Sequence, residues 1–137
     1  MNIHFDVSDV INKLDKVAEN LSAGLYNALQ ESGEVVRKEA VLNCPVQTGR
    51  LRGSITVNVE GNTAEIGTNL EYAPFVEYGT GSKGDKSVAH TTKKQWTYRS
   101  GDNFYTTSGQ KPQPFLTPAL KNNKDTIIKL IREAVKR

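Results

Sequence analysis

The sequence predicts an α+β domain in which an antiparallel sheet of about four to five strands packs on a long N-terminal helix and a C-terminal helix. Two observations lead to this prediction. Apolar residues recur every three or four positions near both ends of the chain, which is the period of one helix face. Between these stretches, short runs alternate apolar and polar residues around turn residues, which is typical of hairpins. The chain has 137 residues, the usual size of one domain, and we expect a single domain over residues 1–137.

The N-terminal part predicts a strand followed by the long helix. Ile3, Phe5 and Val7 alternate with polar residues, as in a short strand. Ser8 has the right side chain for a helix N-cap, and the helical period continues from there to about residue 43. Pro45 then ends the helix, since proline disfavours the helical conformation in the residue before it.

The middle of the chain predicts a loop, a hairpin and a second, mobile loop. Residues 45–53 are expected to form the first loop, and residues 55–66 a hairpin that turns at Gly61. The aromatic cluster at residues 72–78 fits either one helical turn or a bent strand. Residues 79–94 are rich in glycine, serine and small polar side chains, so we expect a mobile loop there.

Two further elements complete the predicted fold. Residues 95–99 and 103–107 flank the turn at residues 100–102 and predict a second hairpin. Its aromatic side chains are Trp96, Tyr98, Phe104 and Tyr105. In the C-terminal helix, Thr117 is expected to be the N-cap and Pro118 the first helical residue.

Charge is unevenly distributed along the chain. Residues 1–79 carry 6 basic and 11 acidic side chains, whereas residues 80–113 and residues 114–137 each carry 6 basic and 2 acidic ones. This split fits a surface that binds polyanions, or a subunit whose acidic and basic parts attract each other in neighbouring copies of a ring. A third interpretation is that the charges lie on solvated faces without a partner.

The residues that could support catalysis or hold a metal are few. His4, His90 and Cys44 are the only histidines and the only cysteine, and their spacing does not fit a zinc site. Residues 79–87 resemble a phosphate-binding loop, but Asp85 stands between Gly84 and Lys86 and would repel phosphate. The sequence has no Gly-x-Ser-x-Gly nucleophile elbow. We therefore expect no enzyme and no cofactor or metal.

The sequence also gives expectations about the compartment. The single cysteine excludes an internal disulfide, which fits a reducing environment. No run approaches the about 18 consecutive apolar residues that cross a bilayer, and residues 1–6 do not resemble a signal peptide. We expect no association with membranes.

Nucleic-acid binding is the alternative from another functional class. Four basic residues, Lys93, Lys94, Arg99 and Lys111, are interleaved with the aromatic residues of the second hairpin. Positive charge beside aromatic faces suits phosphate contact combined with base stacking. The same aromatic residues at strand spacing also fit one face of a sheet, so the pattern alone leaves both interpretations open.

Three segments of the chain together resemble a known family. Residues 44–55 contain Pro-Val-Gln-Thr-Gly-Arg-Leu-Arg-Gly-Ser-Ile, residues 66–80 contain Gly-Thr-Asn-Leu-Glu-Tyr-Ala-Pro-Phe-Val-Glu-Tyr-Gly-Thr, and residues 109–120 contain Pro-Gln-Pro-Phe-Leu-Thr-Pro-Ala. In this order and spacing they resemble the small tail-component proteins of long-tailed bacteriophages and prophages, which act in head–tail joining or tail completion.

The resemblance implies a structural virion protein without catalytic residues. It implies an α+β subunit that works in a ring, with sixfold symmetry, at the tail end facing the head. The partners would be other copies of the chain and the tail-tube and neck proteins. DNA would be a secondary partner, and this expectation comes from the basic aromatic segment at residues 93–111 and not from the resemblance. The protein would be found in the virion, and in the cytoplasm of the bacterial host during assembly.

The motif residues divide into two predicted roles. Those expected to maintain the fold are Gly49, Gly67, Tyr72, Phe75, Gly79, Pro114, Phe115 and Pro118. Charged residues in a motif seldom serve packing alone. The residues expected at an interface between subunits are therefore Arg50, Arg52 and Glu77. Outside the motif segments, Lys93, Lys94 and Arg99 are also expected there.

Overall fold

The computed structural model describes residues 1–8, 21–45, 49–87 and 93–135. Over these ranges the chain is α+β, as predicted, with five α-helices and antiparallel sheets of three and two strands. The backbone forms two compact units. The terminal unit comprises residues 1–70 and 115–137, and the central unit comprises residues 71–114. The expectation of one domain over residues 1–137 stays a prediction.

The elements follow each other in mixed order along the chain. The strands are β1 Asn2–Asp6, β2 Thr56–Glu60, β3 Thr63–Gly67, β4 Trp96–Ser100 and β5 Asn103–Thr107. The helices are α1 Leu21–Asn43, α2 Gly49–Ser54, α3 Ala73–Tyr78, α4 Leu116–Asn122 and α5 Lys124–Val135.

The three-stranded sheet lies in the terminal unit in the order β1–β3–β2. Its strands have side chains that alternate between two faces, so every second residue points to the same side. On the inner face, Ile66 of the central strand lies opposite Ile3 of β1 and Val57 of β2. Gly61, at φ +58°, forms the turn between β2 and β3. The predicted N-terminal strand and the predicted first hairpin are both confirmed.

The long helix α1 is the centre of the terminal unit. It contacts β2 and β3 as well as α2, α4 and α5. Its buried face includes Leu29, Val36 and Ala40, which are fully excluded from solvent. From α5, Ile131 is also fully buried. The long helix is confirmed over Leu21–Asn43, and its predicted beginning at residues 9–20 lies outside the described residues.

Two local predictions differ from the structure. Gly49–Ser54 is a short helix, where the sequence predicted a loop, because burial of Leu51 on one face stabilises a turn too short to show a period. The first C-terminal helix begins at Leu116, with Phe115 at its N-cap position and no side-chain capping hydrogen bond. The expected cap at Thr117 is therefore wrong, because full burial of Phe115 and Leu116 determines where the helix starts.

The strands also divide differently from the prediction of one sheet of about four to five strands. Five strands form over the described residues, but β4 and β5 pair only with each other and make a separate sheet of two strands. The reason is the distribution of apolar area. The inner face of β1, β2 and β3 carries buried or half-buried apolar side chains, and β2 and β3 pack on α1. Most side chains of β4 and β5 are exposed instead.

The central unit consists of α3, a 3-10 turn at Gly81–Lys83 and the hairpin of β4 and β5. The aromatic cluster at residues 72–78 is thus helical, one of the two structures considered above. Backbone hydrogen bonds join Ser82 N–H to Lys93 O at 3.1 Å and Asp85 N–H to Tyr78 O at 2.7 Å. Residues 88–92 lie outside the described residues, and mobility of the loop at 79–94 stays a prediction.

Candidate assembly interface

The first two motif segments meet in the terminal unit through a pair of hydroxyl groups. Ser54, at the end of α2, and Thr68, just after β3, have their side-chain oxygens 2.6 Å apart. The Ser54 hydroxyl donates to Leu51 O at 2.7 Å, so the proton between the two side chains comes from Thr68. The Thr68 oxygen in turn accepts from Leu70 N–H at 3.1 Å. These contacts fix the end of α2 to the end of the sheet.

The replacement Thr68→Val is expected to lower the free energy of unfolding by about 2 kcal/mol. Thr68 is only 2% exposed, and valine keeps its shape while removing both the donor to Ser54 and the acceptor for Leu70 N–H. Urea denaturation followed by far-ultraviolet circular dichroism measures the change. The matched control is Thr106→Val on the exposed strand β5, where we expect a change below about 0.5 kcal/mol. Equal effects of the two replacements would contradict a structural role for the Ser54–Thr68 pair.

The second and third motif segments meet in the central unit. Thr80 and Gln110 exchange backbone hydrogen bonds of 2.9 and 3.2 Å and form an isolated antiparallel bridge. The side chain of Gln110 also donates to Phe75 O at 2.9 Å, and Gln113 N–H donates to Val76 O at 2.8 Å. Two carbonyl groups near the end of α3, those of Phe75 and Val76, thereby accept hydrogen bonds from the third motif.

A glycine makes this approach of the two segments possible. Gly79 adopts φ +74° and ψ −175°, a backbone conformation that is almost restricted to glycine. A Cβ atom at this position would lie 2.5 Å from Gln110 O and 2.8 Å from Pro112 N. The predicted fold role of Gly79 therefore has a direct geometric reason, both in its conformation and in its contact.

Two other predicted fold glycines lie in the terminal unit. Gly67 ends β3 opposite Asn2, and a Cβ atom there would overlap Met1 O and the Asn2 side chain. Gly49 begins α2, is exposed, and has open space around the position of a Cβ atom. Close packing accounts for Gly67, whereas nothing in the structure explains Gly49.

The remaining predicted fold residues are buried to very different extents. Phe115 is fully buried, Pro118 is half-buried and Pro114 is exposed. In α3 and just before it, Tyr72 is half-buried, but Phe75 keeps 53% of its area exposed. An anchoring role for Phe75 stays a prediction, since half of its ring remains available for contact.

The predicted interface residues of α2 and α3 occupy contrasting environments. Arg50 is exposed, whereas Arg52 is half-buried and donates from Nη2 to Cys44 O at 3.0 Å. The buried Nε of Arg52 has no hydrogen-bond partner among the described residues. Glu77 is only 2% exposed. Arg52 contributes to joining α2 to the end of α1, and Glu77 offers almost no surface to a neighbour in the described part of the chain.

The other three predicted interface residues lie in the central unit. Lys93 and Lys94 are exposed just before β4, and Arg99 is exposed within it. The Arg99 side chain donates from Nε to Gly101 O at 2.8 Å and lies 3.9 Å from Asp102, with both side chains largely in solvent. An ion pair this exposed contributes little to stability, so Arg99 remains available to another partner.

The hairpin of β4 and β5 is exposed on both faces. Tyr98, Phe104 and Tyr105 keep 46%, 71% and 47% of their area in solvent. Tyr98 and Tyr105 are paired across the strands with ring centroids 5.8 Å apart. Trp96, at the base, is half-buried and packs close to Gly81. The exposed aromatic area makes this hairpin a candidate contact surface.

The outer face of the three-stranded sheet is polar and acidic. Asp6, Thr63 and Glu60 form one row across the strands, and His4, Glu65 and Asn58 form the next row. None of the residues in these three strands is lysine or arginine. Hydrogen bonds from the Ser8 side chain and backbone, and then from Thr63, lower the pKa of Asp6 below its usual value.

Several structural residues were not singled out from the sequence. Ser54, Thr68 and Gln110 all lie inside the three motif segments, but their partners are 14 to 35 residues away along the chain. Their position in a motif was thus the only feature of the sequence that could have indicated their structural role. The acidic character of the outer sheet face was also missed. The strand sequences contain no lysine or arginine, but the strand register is needed to show that their acidic residues lie on one face.

No group of histidine, cysteine or carboxylate side chains suited to a metal ion occurs within the described ranges. Of the helices described, none is long and apolar enough to span a membrane. Over the described ranges the chain has an α+β fold in which the motif segments make structural contacts.

Comparison with known families agrees with this class of protein. The family described as "Bacteriophage HK97-gp10, putative tail-component" matches residues 8–79, just over half of the chain. The chain belongs to this bacteriophage tail-component family, which confirms the resemblance noted above. The matched range includes the first motif segment and nearly all of the second, whereas the third lies beyond it. No curated protein and no solved structure matches the chain.

Proposed function

We propose that this protein is a structural subunit of a tailed phage or prophage particle, which completes the tail or joins it to the head as a ring of identical copies. Membership of the tail-component family over residues 8–79 is the observation that carries the proposal. The motif residues Ser54, Thr68, Gly79 and Gln110 support it, because their contacts maintain the fold and they form no active site. Catalysis has no part in the proposed role.

The distribution of charge supports a head-to-tail arrangement of the copies. The chain is acidic over residues 1–79 and basic over residues 80–137. In a ring, each subunit presents one surface to one neighbour and a different surface to the other neighbour. Opposite charges on these two surfaces favour association with the correct polarity. The proposed partners are further copies, in a sixfold ring, and the tail-tube and neck proteins.

Deletion of the gene from the parent phage or prophage tests the role in the particle. We expect electron microscopy of the lysate to show filled heads beside unjoined tails, or tails of uncontrolled length. The first result would assign head–tail joining and the second tail completion. Infectious particles of normal appearance would refute the proposal. Addition of the purified protein to the defective lysate provides the control, since it should restore infectivity.

Salt dependence tests the charge arrangement separately. We expect the ring to dissociate progressively as salt is raised, because exposed charges more than about 8 Å apart are largely screened at physiological ionic strength. Sedimentation velocity over a series of salt concentrations measures the loss of the ring. A ring that is indifferent to salt would remove the electrostatic explanation and leave the joining role intact.

DNA contact in the neck channel is the second candidate function. The observation in its favour is that Lys93, Lys94 and Arg99 are exposed near the exposed aromatic side chains of the hairpin. Such a surface suits phosphate contact and base stacking. This candidate predicts DNA binding that falls steeply with salt in a fluorescence-anisotropy titration. A flat titration at low salt would exclude it.

A further inference from the structure

The hairpin of β4 and β5 has one face turned away from the rest of the central unit. Side chains alternate along a strand, so Trp96 shares its face with Tyr98 and Tyr105. Trp96 packs close to Gly81, which places the base of this face against the central unit. The opposite face carries Thr97, Arg99, Phe104 and Thr106, and all four are exposed. We refer to these four residues as the outer hairpin face.

The outer hairpin face combines a cation with the most exposed aromatic ring. Arg99 lies directly opposite Phe104, whose side chain is 71% exposed. The hydroxyl groups of Thr97 and Thr106 lie 3.1 Å apart on the same face. Over residues 93–111 the chain has four basic side chains and one acidic side chain, so the surroundings are also positive. Arginine beside an exposed aromatic ring is typical of interface centres.

The outer face of the three-stranded sheet has the complementary chemistry. Asp6 and Glu60 flank Thr63 in one row, and Glu65 stands two residues further along the central strand. Neighbouring strands are about 4.8 Å apart, so the three carboxylates surround a patch roughly 10 Å wide. Thr63 and Asn58 lie within it as smaller polar neighbours. A guanidinium group can bind such carboxylates in bidentate geometry.

We propose that the outer hairpin face of one copy binds the outer sheet face of a second copy of this chain, head to tail. The two surfaces differ and have opposite charge. The outer hairpin face is exposed, and the outer sheet face is exposed at Asp6 and Glu60 and half-buried at Glu65. A contact between unlike surfaces repeats from copy to copy and closes a ring where the rotation allows it. In this contact Arg99 binds the carboxylates and Phe104 covers the methyl groups of the sheet threonines. The inference rests on the proposed ring and names its contacting surfaces.

A mixing experiment with two variants of the full chain tests this contact. The hairpin variant is Arg99→Ser with Phe104→Ser, which leaves no charge that could pair with the other variant, and the sheet variant is Glu60→Lys with Glu65→Lys. Each variant alone is expected to be monomeric in sedimentation velocity at low salt, where the unaltered protein forms rings. An equimolar mixture is expected to give heterodimers and nothing larger, because each copy then has one working surface.

Matched controls separate the contact from general effects on charge and folding. Tyr26→Ser removes an exposed aromatic ring from α1, and Glu31→Lys reverses an exposed charge on the same helix. Both are expected to form rings as the unaltered protein does. Far-ultraviolet circular dichroism and Trp96 fluorescence check that the hairpin and sheet variants remain folded.

The possible outcomes distinguish this inference from the proposed function. Rings formed by either variant would overturn the assigned surfaces while the joining role stands. An unaltered chain that never self-associates would overturn both the ring and the contact. If the hairpin variant forms rings but no longer binds a short single-stranded DNA that the unaltered protein binds, the hairpin is a nucleic-acid surface, and the contact between copies is refuted.

Discussion

Replacing Phe115 by alanine is expected to lower the free energy of unfolding by about 4 kcal/mol. Phe115 is fully buried at the N-cap position of α4, next to the equally buried Leu116. The helix that follows packs on α1, the centre of the terminal unit. Loss of the ring removes apolar contacts and leaves a cavity that the surrounding helices can fill only in part. Urea denaturation followed by far-ultraviolet circular dichroism measures the change.

The same replacement elsewhere in the chain provides the control. Phe104 is 71% exposed, so Phe104→Ala is expected to change the free energy of unfolding by well under 1 kcal/mol. Phe115→Leu retains an apolar side chain of similar size and is expected to cost about 1.5 kcal/mol. If Phe115→Ala were no more destabilising than Phe104→Ala, the third motif would not act as a core anchor. The hydrogen bond that the Asn43 side chain donates to Phe115 O, 3.4 Å long, does not involve the Phe115 ring.

The replacement Gly79→Ala is expected to destabilise the central unit by about 3 kcal/mol. Alanine is strained at φ +74° and ψ −175°, and its Cβ would overlap backbone atoms of Gln110 and Pro112. Because both obstacles are main-chain atoms, relief requires separation of the Thr80–Gln110 bridge. Trp96 is the only tryptophan and lies in the central unit, so its fluorescence during urea denaturation reports on this unit.

Alanine replacements at two other glycines separate the cost of backbone strain from the cost of steric overlap. Gly101 has φ +62° but open space around it, so Gly101→Ala is expected to cost about 1–2 kcal/mol from strain alone. Gly24 lies in α1 with open space and an ordinary helical conformation, so Gly24→Ala is expected to stabilise the helix by up to about 1 kcal/mol. If Gly79→Ala lowers the free energy of unfolding no more than Gly101→Ala does, steric overlap between the two motif segments does not contribute to the cost at Gly79.

The replacements at Phe115 and Gly79 and the mixing experiment test two separate properties, the stability of the subunit (the first level) and the contact between subunits (the second level). Phe115 and Gly79 test whether the motif residues maintain the subunit, whereas Arg99 and Glu60 test how subunits meet. Gly79 is the last residue of the range that the tail-component family matches, whereas Phe115 lies beyond that range. The second level depends on exposed residues, of which Arg99 and the rest of the hairpin lie beyond the matched range.

Local pattern was sufficient for most of the elements. The alternation around Gly61 and around residues 100–102 predicted both hairpins, because strand period and turn residues are properties of neighbouring positions. The period of α1 over Leu21–Asn43 was equally clear. The same reasoning failed for α2, since a helix of six residues is shorter than two turns and depends on burial of Leu51. It also misplaced the start of α4, because that start depends on the burial of Phe115.

The α+β class, the two hairpins, the long helix and the family could all be predicted from the order of residues, because each is encoded in nearby positions. The tertiary structure was needed to establish that the strands form two sheets, that Glu77 is buried, and that Ser54 contacts Thr68. It also decided which aromatic side chains stay exposed on the hairpin. These features depend on which distant segments pack together and exclude water, and that is a property of the folded chain as a whole.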